Sequence, residues 1–185
     1  MLSVSLGEGS ELRSMEPWQA VEFAEYVDRV RDHIAPRLPW VHSVVDTASA
    51  RRFLQEMADS QARDGARLYG IYLEGKLVGG TCFRLFDAAS GLCELGVWLG
   101  LDVEGRGLAT QAARTMIDWA VEKRGMHRIQ WLMAPDNAAS AAVAQRLGMS
   151  YEGTMRGYIP QRTGGHQDLE IWSVLARDWV SPLKV

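Results

Sequence analysis

The chain has 185 residues, 47% of them hydrophobic, and a formal net charge of −3. That is enough apolar material for one sizeable core and too little for two, so residues 1–185 are expected to form a single domain. The negative balance argues against a nucleic-acid surface, which shows as a basic patch or stripe. No apolar run approaches the roughly 20 residues a bilayer helix needs, so no membrane span is expected. Cys82 and Cys93 lack CxxC spacing and no apolar leader precedes a cleavage-like site, so the expected compartment is the reduced cytoplasm. His33, His42, His127 and His166 are scattered with no HxxxH or Cys/His clustering, and no metal site is expected.

After a short leading segment, Trp18, Val21, Phe23, Ala24, Val27 and Val30 recur near helical spacing, and Pro17 suits a first turn, which predicts a helix over 16–33. Pro36 and Pro39 stop it, leaving "IAPRLPWVHS" as a loop that carries Trp40. A second helix is expected from Thr47 or Ser49 to about Arg63, with Ala50, Phe53, Leu54 and Met57 on one face. The period then changes. "RLYGIYLEGKLVGGTCFRLF" reads as two strands joined at Glu74-Gly75, and "GLCELGVWL" as a third strand in a meander. Residues 107–124 return to helical spacing and end at Gly125. "HRIQWLM" reads as a buried strand, "NAASAAVAQRLG" as a short helix capped by Asn137 and closed by Gly148, and two strands follow near 150–159 and 167–175. The mix predicts an α+β or α/β domain with helices packed on a mostly antiparallel sheet.

At "VEGRGLAT" a strand ends in a glycine-containing turn and opens a helix, so several N–H groups and the positive end of a helix dipole converge. That is an anion site, and a diphosphate is a common guest. Gly105 and Gly107 let the backbone approach without Cβ interference, Leu108, Ala109 and Thr110 form the first turn, and Arg106 offers a charge-assisted contact. The spacing is neither GxGxxG nor GxxxxGK[ST], so dinucleotide and nucleoside-triphosphate readings lose ground. On "GRG" alone a plain tight turn into a helix competes with the anion site.

The ordered set "ELGVWL", "EGRGLAT", "HRI", "NAASAAVAQRLGM" and "YEGTMRGYI" resembles the acyl-CoA core of the GNAT superfamily of N-acetyltransferases, and most closely its ribosomal-protein (RimJ/RimL-like) branch. Residues 91–159 carry most of the resemblance; "RLPW" and "HQDLEIWSVL" extend it. It implies a central, mostly antiparallel sheet splayed at strands 4 and 5 and flanked by helices. One departure is Glu104, where the family's motif has Gln or Arg. A carboxylate beside a diphosphate is unfavourable unless it points to solvent or pairs with Arg106.

The resemblance implies acetyl-CoA as donor and a primary amine as acceptor, either a protein N-terminus or a small amine or antibiotic. The donor's arm would lie between strands 93–99 and 127–133, bonded by the main chain of Val97 and Leu99, with an N–H of Val97 or Trp98 polarising the thioester carbonyl. Glu94, at the head of that strand, is the first candidate base for the protonated amine, and Glu152 in "YEGTMR" the second. Many members place a Tyr on the short helix to protonate the thiolate; Ala144 stands there, and Ser140 matches the branch's serine and takes over that role or bonds the sulfur. Asn137 and Arg146 are further candidate cofactor contacts. Trp40, Arg84, Tyr158, His166 and Asp168 are candidate acceptor contacts, on or near the loops "IAPRLPWVHS" and "IPQRTGGHQD". Transfer of a larger acyl group such as succinyl, a silent acyl-CoA binding module, and a monomer or a homodimer remain open.

Overall fold

The computed structural model describes residues 3–161 and 164–180. The leading segment is a strand pair: β1 (Ser3–Gly7) and β2 (Ser10–Ser14) form an antiparallel hairpin. Its strands are short and half polar, and Leu6 and Leu12 are the side chains that reach the core. Helices α1 (Ala20–Ile34) and α2 (Thr47–Ala62) follow, then β3 (Arg67–Leu73), β4 (Lys76–Asp87), β5 (Leu92–Leu99), α3 (Leu108–Arg124), β6 (Arg128–Met133), α4 (Ala138–Arg146), β7 (Ser150–Pro160) and β8 (His166–Leu175). The first helix begins later than its apolar period suggests because Pro17–Gln19 form a 3-10 turn ahead of it. A second 3-10 turn, Pro39–Ser43, orders the loop after α1.

One sheet has the order β1-β2-β3-β4-β5-β6-β8-β7. Every pair is antiparallel except β5 with β6. The splayed pair, expected at 93–99 and 127–133, is β5 and β6 in the order of this chain. Side-chain alternation along β5 sends Cys93, Leu95 and Leu99 into a core shared with Met116 and Ile117 of α3 and Ala144 of α4. Trp98 goes to the other face, into a core with Phe23 and Val27 of α1 and Leu54 of α2. The helices thus cover the two faces in sequence pairs, and Glu94 and Gly96 share the α1/α2 face with Trp98.

Close approach explains one glycine here. A Cβ on Gly80 would stand 2.2 Å from the Trp98 ring, so only glycine lets the indole lie flat on β4. Trp98 in turn meets Trp40 edge-on at 5.3 Å, and Trp40 stacks on Phe53 at 5.0 Å and Phe23 at 5.9 Å. Among the described residues no helix is long and apolar enough to cross a membrane.

Candidate active site

The parallel ladder between β5 and β6 holds for three rows, Leu92 with Arg128, Cys93 with Ile129 and Glu94 with Gln130. Beyond Glu94 the strands part, while β5 stays paired with β4 out to Leu99 and β6 stays paired with β8 out to Met133. The facing edges of 95–99 and 131–133 therefore carry main-chain groups with no strand partner, which is costly unless something else bonds them. Val97, Trp98 and Leu99 lie on this unpaired stretch.

At the end of β5, a 3-10 turn (Leu101–Val103) leads into the glycine loop and α3. Gly105 and Gly107 have φ of +76° and +79°, the left-handed region, and a Cβ built on either meets nothing within 4 Å. The glycines are demanded by the turn, and the space beside them is open. The first backbone bond of α3 is Gln111 N–H to Gly107 O, 3.0 Å, so the N–H groups of Leu108, Ala109 and Thr110 precede the first helical acceptor. Among the described residues no protein acceptor takes these, nor the N–H groups of Gly105, Arg106 and Gly107. Arg106 is exposed at the rim. The Glu104 carboxylate neither faces solvent alone nor pairs with Arg106: it pairs with His33 Nε2 of α1 at 2.9 Å, which draws it from the loop's donors. On the opposite bank, Arg37 Nη1 donates to Asp136 Oδ1 at 2.5 Å, so the last turn of α1 and the segment after it are tied to the two loops that flank the gap.

The last paired row carries Glu94, 9% exposed. A bulge in β4 sets both Arg84 and Leu85 opposite this residue, and Arg84 Nε lies 2.8 Å from Glu94 Oε1. Burial pushes the Glu94 carboxyl above its ordinary value, and the Arg84 charge and hydrogen bond hold the rise down. Arg84, expected as an acceptor contact, is in the structure the partner of the candidate base. Cys82, on the same face, is half-buried, and desolvation pushes its thiol pKa up to about 12.

Glu152 has the opposite environment. Both its oxygens are bonded by the Arg128 guanidinium, and Ser173 Oγ donates to Oε1 at 2.5 Å. Hydrogen bonds from Arg128 and Ser173 pull its pKa down to about 2. The partner is Arg128, two residues before Gln130, not Arg156 of its own strand, and a carboxylate so committed is a weak base near neutral pH.

On the α3/α4 face Asn137 caps α4, its Oδ1 accepting the Ser140 N–H at 3.1 Å. Ser140 Oγ accepts the Trp131 indole N–H at 2.7 Å, beside the open end of β6. Arg146 is exposed at the far end of α4. Of the remaining acceptor candidates, Trp40 is part of the aromatic stack, Asp168 Oδ1 accepts the Gly157 N–H at 2.7 Å, and Tyr158 and His166 are exposed. Arg162 and Thr163 of that loop lie outside the described residues. His33, Arg128 and Trp131 were not read from the sequence as part of the site. Each acts through a partner on another element, so no local spacing marks it.

The Acetyltransferase (GNAT) domain model matches residues 11–150. The chain belongs to the GNAT acetyltransferase family. It is an N-acetyltransferase. It is 28% identical over 185 residues to YdaF of Bacillus subtilis (strain 168), covering 97% of this chain and 98% of that one. With the ribosomal-protein-serine acetyltransferase of Escherichia coli (strain K12) it shares 22% identity over 154 residues, 83% of this chain and 86% of the other. The solved structure of the ribosomal L7/L12 alpha-N-protein acetyltransferase RimL, in complex with coenzyme A, superposes with a TM-score of 0.88 at 20% identity, over 94% of this chain and 97% of that one. At that identity the likeness shows the shared fold.

Proposed function

We propose that this acetyltransferase takes the acetyl group of acetyl-CoA and passes it directly to the primary amine of a protein N-terminus, within a single domain spanning the whole chain. The observation that carries the donor site is the cluster of free N–H groups at 105–110, with open space beside Gly105 and Gly107 and a strand gap leading away. Free donors at a helix N-terminus fit a diphosphate, and the unpaired edges of β5 and β6 fit an extended arm that carries amides. When bound, acetyl-CoA supplies an acetyl group activated as a thioester. The complex with coenzyme A known for RimL supports this assignment.

The chain's own residues then divide the work. The N–H groups of 105–110 and the Arg106 side chain hold the diphosphate. Val97 and Leu99 bond the arm through their main chain, and an N–H of Val97 or Trp98 polarises the thioester carbonyl and holds the developing oxyanion. Glu94, buried and with a raised pKa, accepts the proton that the ammonium group must lose before it attacks; Glu152 is held by Arg128 and Ser173 and serves structure. Ser140 presents a hydroxyl for the departing sulfur. Cys82, a neutral thiol near neutral pH, is a poor nucleophile, which supports direct attack by the amine over an acyl-enzyme.

The acceptor reading leans on the relatives, several of which are named for ribosomal proteins. The test is release of free thiol from acetyl-CoA with peptides beginning with each amino acid, set beside polyamines, aminoglycosides and aminoacyl nucleotides. Turnover confined to peptides supports the assignment. Turnover on a small amine alone refutes it, and tight coenzyme A binding with no turnover on any amine marks a silent binding module.

A further inference from the structure

We propose that Trp131 is a positioning residue for the thiol-leaving step: its indole N–H fixes the Ser140 hydroxyl so that the hydroxyl proton is free for the departing sulfur. The inference rests on the role given to Ser140 above and adds the residue through which that role is exerted.

Three observations carry it. Trp131, on β6, is 3% exposed and packed in the α3/α4 core, so its ring is locked. Its Nε1–H donates to Ser140 Oγ at 2.7 Å, while the Ser140 main-chain N–H is tied to Asn137 Oδ1, so this serine is held from its backbone and from its side chain. Finally, among the described residues Ser140 Oγ donates to no protein atom.

The chemistry follows from what each group can do. An indole N–H only donates, and a serine hydroxyl donates once and accepts twice. By occupying an acceptor position on Oγ, Trp131 forces the O–H bond to find its acceptor elsewhere. A serine in the first turn of a helix otherwise bonds backbone groups of that same turn, which would turn the proton away from the strand gap. The proton step balances as a relay. The C–S bond breaks and leaves its electron pair on sulfur; the S–H bond forms as the Ser140 O–H bond breaks; a solvent water returns a proton to Oγ. Negative charge grows on Oγ during that transfer, directly in front of the indole N–H.

Three single variants and one double variant test this in the full-length protein: Trp131→Phe, which keeps an aromatic ring and removes the N–H; replacement of Trp131 by benzothienylalanine, which keeps the indole shape with sulfur for N–H; Ser140→Ala; and Trp131→Phe combined with Ser140→Ala. With acetyl-CoA and an accepted amine, the two Trp131 variants should each lower kcat about tenfold, with KM for acetyl-CoA within about twofold. Ser140→Ala should lower kcat at least as much, and the Trp131→Phe/Ser140→Ala double variant should be no slower than Ser140→Ala alone. A slow Ser140→Ala beside a benzothienylalanine protein at full kcat overturns the Trp131 inference and leaves the Ser140 role standing. Full rate in Ser140→Ala overturns both. Multiplying losses in the double variant, or a rise confined to KM, assign Trp131 to packing and overturn the inference.

Discussion

A single methyl group at the loop before α3 separates the backbone requirement of that loop from its role in binding. Gly107 sits at φ +79° and ψ −4° as the N-cap of α3, and a Cβ placed there meets no protein atom within 4 Å. Gly107→Ala therefore costs folding only the left-handed conformation, about 1–2 kcal/mol. For a chain of this length that lowers the melting temperature by roughly 2–8 °C. Gly125 is the matched control. It lies at the other end of the same helix, at φ +64°, and its added Cβ also meets nothing within 4 Å. Gly125→Ala should melt lower by a similar amount. The two variants should part in calorimetric titration with coenzyme A. At Gly107 the methyl projects into the space beside the free N–H groups of 105–110, so the dissociation constant should rise at least tenfold, whereas Gly125→Ala should bind within about twofold of the native protein. A Gly107→Ala protein that melts lower yet binds coenzyme A with native affinity refutes the assignment of the diphosphate to this loop.

Glu94→Gln should lower kcat/KM by about a hundredfold and remove the rise of rate with pH that titration of Glu94 imposes; a variant with full rate at neutral pH eliminates Glu94 as the base. Because burial raises the Glu94 pKa, its contribution to stability is present below its ordinary value of 4.5 and is lost as pH rises through the folded value, so the Gln variant should melt no lower than the native protein at neutral pH. Glu152 has the reverse sign: lowered from 4.5 to about 2, it contributes above pH 4.5 and loses that contribution as the pH falls through about 2. Its side chain is 35% exposed, so after discounting for solvent screening Glu152→Gln should cost about 1–2 kcal/mol near neutral pH, read as a lower melting temperature that converges on the native value in acid. Trp40→Ala should cost about 3 kcal/mol through loss of its stacks on Phe23, Phe53 and Trp98; an unchanged melting temperature with a raised acceptor KM would instead make Trp40 a substrate contact.

Local pattern was sufficient for most of the frame. Helical period, Asn137 as a cap, Gly125 and Gly148 as stops, and the Glu74-Gly75 turn mark elements whose physics is contained within a few neighbouring residues, and the left-handed turns at Gly105 and Gly107 belong to the same class. The N-terminal hairpin was harder to see because its strands are five residues each and half polar, although Gly7-Glu8-Gly9 between alternating Val4, Leu6 and Leu12 carried a signal. The amino-acid sequence by itself thus determined the helices and strands after the N-terminal hairpin, their order and the backbone donors of the glycine loop. Only the tertiary structure decided where β5 and β6 part, that a bulge sets Arg84 on Glu94, that Arg128 and Ser173 claim Glu152, that His33 draws Glu104 aside, and that Trp131 holds Ser140. A residue's periodicity says which face of its own element it occupies. Which charge or hydroxyl stands across from it depends on the register between strands and the packing of helices distant in the chain, and those contacts set the pKa values and proton paths on which the chemistry turns.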